Sequence, residues 1–172
     1  MTDSTPAPGA WGEPREKTVT WYDPKVVAAG REGLTGAGHL RAMAGGELPP
    51  PPIAALMGFD LVSVGEGEIV FTGTPDDSVY NPLGIVHGGY VCTLLDTVAG
   101  CAVQTTLPAG SGYTSIEIKV NYLRPVTAGT TLTARGWVPK PGRRVAFAEG
   151  DVRDESGKVV ATASSTCLVF DL

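Results

Sequence analysis

Four scarcities in this 172-residue sequence each exclude a class of answer. Cysteine occurs three times, as Cys92, Cys101 and Cys167, without a C-x-x-C pair, so neither a disulfide framework nor a thiolate metal site is indicated. Histidine occurs only as His39 and His87, too far apart for an H-E-x-x-H helix, and no metal is expected. No run approaches the ~20 apolar residues that span a bilayer, and MTDSTPAPGAWGEPREK has neither the basic nor the apolar region of a secretory leader. The expectation is a soluble, reduced, cytoplasmic chain with no membrane partner. The fourth scarcity is local: from Ala42 to Ile118 there is no Lys or Arg, against eight carboxylates.

The net charge of −5 is therefore unevenly spread. Residues 119–172 carry eight basic and five acidic side chains, and the first 41 residues balance. This excludes a nucleic-acid binder that works through overall basic charge. It leaves room for a small anionic ligand held by the C-terminal third. Apolar residues make up 42% and charged residues 18%, enough for one core in one domain of ordinary size.

Residues 1–26 are polar and rich in Pro and Gly, which predicts a mobile tail; Trp11, Val19, Trp21 and Tyr22 are its only residues able to pack. Residues 26–44 suit one or two short helices, weakened by Gly33, Gly36 and Gly38. Pro49–Pro52 must be extended, and Ile53–Met57 fits one helical turn. Together, residues 1–52 are expected to form an N-terminal extension and 53–172 the main domain. Phe59–Val64 and Glu68–Thr72, split by Gly65-Glu66-Gly67, read as a hairpin. Residues 75–86 read as loop. Residues 87–106 are apolar nearly all round, which predicts a long buried helix. Strands are expected at Tyr113–Leu123, Thr130–Val138, Arg144–Val152 and Val159–Phe170, with regular alternation from Ser115 to Tyr122. This is an α+β pattern: an antiparallel sheet wrapped around one helix. One sheet covers one side of that helix, so a further element or a second subunit is expected on the other.

Asp96 is the only charge between Asp77 and Glu117, set within Leu94-Leu95-Asp96-Thr97-Val98. A carboxylate there costs several kcal/mol unless paired or hydrogen-bonded. A structural Asp bonded to a hydroxyl and a catalytic base or nucleophile fit it about equally. Asn81-Pro82-Leu83-Gly84-Ile85-Val86-His87-Gly88-Gly89 opens the same helix, whose first N–H groups lack intrahelical partners. Without side chains at Gly88 and Gly89, a substrate oxygen can approach that backbone as in an oxyanion hole; the plain alternative is a glycine-rich entry capped by His87. Gly88 and Asp96 are eight residues apart, about 12 Å along one helix, whereas reacting atoms must meet at about 3–3.5 Å. If both serve one reaction, they come from different chains. Lys140-Pro141-Gly142-Arg143-Arg144 is either a solvated turn or a phosphate clamp.

Asn81-x5-His87-Gly88-Gly89, Asp96, Ser115, Ile116–Pro125 and Gly142-Arg143-Arg144-Val145-Ala146 jointly resemble the PaaI-like hotdog-fold acyl-CoA thioesterases over about residues 56–170. The resemblance implies a hotdog fold, a homodimer that pairs into a tetramer, and hydrolysis of acyl-CoA with no cofactor beyond the CoA of the substrate. It implies that Gly88 N–H polarises the thioester carbonyl with Asn81 near that oxygen or the water. Asp96 of the partner subunit would be general base or nucleophile, Ser115 would hold the water or the carboxylate, and His87 would orient the loop. For CoA it points to Tyr122, Leu123, Arg124 and Pro125 and to Lys140, Gly142, Arg143 and Arg144. The alternatives are a hotdog hydratase or dehydratase, for which His87 lacks a neighbouring acid, and a non-catalytic acyl-CoA-binding module. Aryl and medium-chain acyl groups are equally compatible with the sequence. The polyproline spacer and the helices before it are expected to cap the acyl pocket.

Overall fold

A computed structural model describes Gly9 and residues 12–172; Trp11 lies outside the described residues. The long apolar segment is helix α4 of the chain (Gly88–Thr105), and eleven of its 18 residues are buried, so it is the core rather than a cover for one. Three short helices precede it, α1 (Pro24–Ala29), α2 (Gly36–Ala44) and α3 (Pro52–Met57), followed by the hairpin β1 (Phe59–Val64) and β2 (Glu68–Gly73). After α4 come β3 (Ser111–Tyr122), β4 (Leu132–Lys140), β5 (Val145–Arg153) and β6 (Val159–Asp171). The six strands form one antiparallel sheet in the order β1-β2-β4-β5-β6-β3. The sheet wraps α4, which is the α+β hotdog arrangement.

Glycine lets the helix lie close to the sheet. A Cβ on Gly136 of β4 would stand 2.1 Å from the Val98 carbonyl oxygen of α4, inside any permitted contact. Leu94, Leu95, Val98 and Val103 are fully buried beneath that surface with Ile69, Leu132 and Val152 from the strands.

β3 departs from simple alternation. Its pairing with β6 slips between Ser115 and Glu117, leaving Ile116 as the extra residue of a bulge. Before the bulge the odd residues Tyr113 and Ser115 lean toward α4; beyond it the even residues Ile118 and Val120 do. Ile116 is 57% exposed, contrary to the unbroken alternation from Ser115 to Tyr122.

Two surface ion pairs join the segment before α1 to the loop after β2. Arg15 pairs with Asp77, and Lys17 Nζ lies 2.7 Å from Asp76. Hydrogen bonds from Lys17 and Ser78 hold the Asp76 carboxyl down at about 2. Trp21 and Tyr22, candidates for docking on the body, stay exposed. Asp23 caps α1 by accepting from Lys25 N–H, and Thr35 caps α2 by accepting from Gly38 N–H. One of the glycines that weaken the helical expectation is used for docking: a Cβ on Gly36 would lie 1.8 Å from the Gln104 carbonyl oxygen. His39 completes the contact. Its Nε2–H donates to Val27 O at 3.2 Å, and its Nδ1 accepts from Gln104 Nε2 at 3.0 Å. Among the described residues no helix is long and apolar enough to cross a membrane.

Candidate active site

Asp96 lies half-buried on the flank of α4 that faces β3. Ser115 Oγ donates to its Oδ1 at 2.8 Å. The neighbouring hydroxyls are occupied: Thr93 Oγ1 donates to Gly89 O and Thr97 Oγ1 to Thr93 O, both at 2.8 Å. Ser115 is thus the hydroxyl aimed at the carboxylate, and the bulge at Ile116 sets the phase of β3 that aims it. The second Asp96 oxygen accepts no hydrogen bond among the described residues and stays available for water or substrate.

The helix entry is organised around His87. Its Nδ1 accepts from Gly89 N–H at 2.8 Å and its carbonyl from Tyr90 N–H at 3.0 Å. His87 is therefore the N-cap of α4, and its side chain is exposed. These bonds leave Gly88 N–H without an acceptor among the described residues, at the positive end of an 18-residue helix. Asn81 Oδ1 accepts from Leu83 and Ile85 N–H, tying the preceding loop. That leaves its Nδ2 as the donor. Tyr122 packs its ring over Gly88, and its hydroxyl donates to Gly88 O at 3.0 Å, bracing the Gly88–Gly89 peptide that follows the free N–H. Motif reading had placed Tyr122 only with CoA; no sequence signal marks this contact, because the bulge alone turns Tyr122 toward α4.

Within one protomer these two centres do not meet. Gly88 and Asn81 line a cavity of about 340 Å³ together with Tyr122, Leu123, Arg124 and Pro125. Asp96 and Ser115 line others, of about 440 and 400 Å³. The residues considered for CoA are also divided. Gly142, Arg143 and Arg144 border a cleft of about 920 Å³ with Thr106 and Leu107, past the C-terminal end of α4. Lys140 is exposed at the end of β4 nearby. About 27 Å of helix separates that end from Gly88.

Other nucleophiles are ill suited to the chemistry. Cys101 borders the same cavity as Asp96, but burial pushes its thiol up to about 12, and burial likewise raises Cys167. Among the described residues no group of three or more His, Cys, Asp or Glu is arranged to hold a metal ion.

Residues 83–161 match the sequence pattern of the thioesterase superfamily. The acyl-coenzyme A thioesterase PaaI of Escherichia coli is 30% identical over 108 residues, 63% of this chain and 75% of that protein. A phenylacetic acid degradation-related protein from Ralstonia eutropha superposes with a TM-score of 0.70 at 32% identity, covering 75% of this chain and 98% of that one. A Streptococcus mutans protein solved with acetyl-CoA bound gives a TM-score of 0.62 at 30% identity, over 66% of this chain and 89% of that one. The fold, the helix entry and these similarities agree: the chain belongs to the thioesterase superfamily.

Proposed function

We propose that the protein hydrolyses acyl-CoA thioesters to the free carboxylic acid and CoA, at sites shared between the two subunits of a homodimer. The observation that carries this reading is the separation of Gly88 N–H from Asp96. Both groups suit acyl transfer, and both lie on one helix in different cavities. An antiparallel pairing of two α4 helices brings Gly88 of one chain beside the partner subunit's Asp96, twice per dimer. The same pairing carries the Arg143–Arg144 turn of one chain toward the Tyr122–Pro125 end of the other. That unites the divided set of CoA residues.

In this arrangement the thioester carbonyl oxygen accepts from Gly88 N–H, with Asn81 Nδ2 beside it. The oxygen gains charge where the helix end is positive. Asp96, held by Ser115, either removes a proton from the attacking water or attacks the carbonyl carbon itself. The new C–O bond forms, the C–S bond breaks, and the CoA sulfur leaves as a thiolate that takes up a proton; where Asp96 is the nucleophile, a water then cleaves the resulting mixed anhydride, releasing the acid and restoring the Asp96 carboxylate. Arg143, Arg144 and Lys140 supply donors for the CoA phosphates, and Tyr122, Leu123, Arg124 and Pro125 border its path. The acyl-CoA thioesterase name of the Escherichia coli relative and the acetyl-CoA in the Streptococcus mutans structure support this choice of substrate.

The test is thiol release from a panel of acyl-CoAs, running from acetyl to long-chain and phenylacetyl. Wild type is expected to cleave members of the panel, and Asp96→Asn to lose about 100-fold or more in kcat. Activity of Asp96→Asn within a few-fold of wild type removes Asp96 from the mechanism.

A further inference from the structure

The segment preceding β1 encloses space beside the candidate base. The cavity of about 440 Å³ that holds Asp96 and Ser115 on one wall has Val27, Leu40, Met43 and Ile53 on another. A second cavity, of about 380 Å³, lies further toward the hairpin, against Ala54, Phe59, Leu61 and Phe71. The two share a wall: Leu40, Met43, Pro51, Ile53, Thr97 and Cys101 border both. Four of those six residues come from α2, the polyproline stretch and α3, outside the segment that matches the superfamily pattern.

The members of this wall differ in freedom. Leu40 is 1% exposed and locked in the core, Pro51 is rigid, and Thr97 is held by its bond to Thr93 O. Met43 is only partly buried, and Ile53 is 45% exposed. Methionine is unbranched and adaptable, so it can move aside without breaking the core. The second cavity has one charged residue on its lining, Asp60, which is exposed; the rest is almost wholly apolar. An aliphatic chain fits such a space, and a polar group would lose its hydration there.

We infer that the second cavity continues the acyl pocket, and that Met43 and Ile53 form the partition that sets how long an aliphatic acyl chain the enzyme accepts. This rests on the acyl-CoA reading above. Short chains end in the chamber beside Asp96; longer chains displace Met43 and enter the chamber against Phe59 and Phe71.

The experiment measures kcat/KM over a series of straight-chain acyl-CoAs for wild type, Met43→Ala, Ile53→Ala and Met43→Trp. Each methylene admitted to an apolar chamber is worth about fourfold. The alanine variants should therefore raise the long-to-short ratio by at least about fourfold. Met43→Trp should lower it by about tenfold or more, the ratio of long to short substrates being the readout. A length profile unchanged in all of these variants overturns the inference while leaving the acyl-CoA reading intact. Calorimetry with a non-hydrolysable long-chain acyl-CoA thioether separates the two. If the thioether binds, Met43→Trp weakens it by about tenfold or more, and no acyl-CoA is cleaved, the pocket stands and the hydrolase reading falls. Equal thioether affinity in wild type and Met43→Trp overturns the pocket.

Discussion

Ser115 Oγ donates to Asp96 Oδ1 at 2.8 Å, joining an edge strand to the central helix at the only charge on α4. A hydrogen bond to a carboxylate does two things. It offsets part of the cost of removing that group from water, and it fixes which oxygen faces the cavity. Ser115 is thus a positioning residue for Asp96.

Ser115→Ala removes that bond and leaves the fold in place. A hydrogen bond to a charged group is worth about 1.5–3 kcal/mol, so kcat should fall by roughly 10- to 100-fold. KM should change by less than about threefold, because Ser115 acts through Asp96 rather than on the CoA moiety. Ser115→Thr keeps the hydroxyl and should recover part of the loss. Steady-state thiol release for the two variants checks this; an equal loss in both would assign Ser115 to packing alone.

Two glycines separate the stability of the core from that of the N-terminal helices. Gly136→Ala forces a methyl against the Val98 carbonyl, where neither β4 nor α4 can yield cheaply. A cost of about 3 kcal/mol corresponds to a fall of about 6–12 °C in Tm. Gly36→Ala places its methyl against the Gln104 carbonyl and acts on the docking of α2. It should lower Tm by less than half as much while making the segment before β1 sensitive to protease. Thermal melts and limited proteolysis together distinguish the two effects.

His39 makes the same docking pH-dependent. It is 5% exposed, and burial, the largest cause, holds its pKa below the ordinary 6.5, with the Arg31 charge acting in the same direction. Its Nδ1 must stay unprotonated to accept from Gln104. The unfolded histidine protonates first on acidification, so its contribution is complete above pH 6.5 and is lost as pH falls from there through the lower folded value. Protease sensitivity of the segment before β1 should rise between about pH 7 and pH 5 in wild type. In His39→Gln that pH-dependent part should vanish.

The regular elements were legible because their periods are strong. A proline-free apolar run became α4, and the strand runs became β1–β6 within a few residues of the expected bounds. β3 shows where that logic stops. Ile116, Ile118 and Val120 alternate as if one face were buried, yet the bulge puts Ile116 outside and shifts the phase. An unbroken strand could not turn both Ser115 and Tyr122 toward α4, since one is odd and the other even. Gly36 shows a second limit: intrinsic propensity counts against a glycine, whereas docking requires its missing Cβ. The helix entry and Asp96 were visible as residue types. Which carboxylate oxygen is bound, and which first-turn N–H is left free by the His87 cap, depend on side-chain geometry that spacing does not encode.

The division of one reaction between two chains is tested most directly by subunit exchange. Gly88→Pro removes the candidate oxyanion donor at a position whose backbone suits proline: it is the first residue of α4, and His87 before it is already extended at ψ 137°, while the new Cβ requires the exposed Tyr122 ring to move back by a few tenths of an ångström. Gly88→Pro and Asp96→Asn homodimers should each be nearly inactive, the former by about 10²- to 10³-fold. After equal mixing and exchange, half the dimers are mixed and each contains one intact site. Activity should therefore return to about a quarter of wild type. If exchange is verified by mass spectrometry and activity stays at the level of the parents, Gly88 and Asp96 do not act across the subunit boundary.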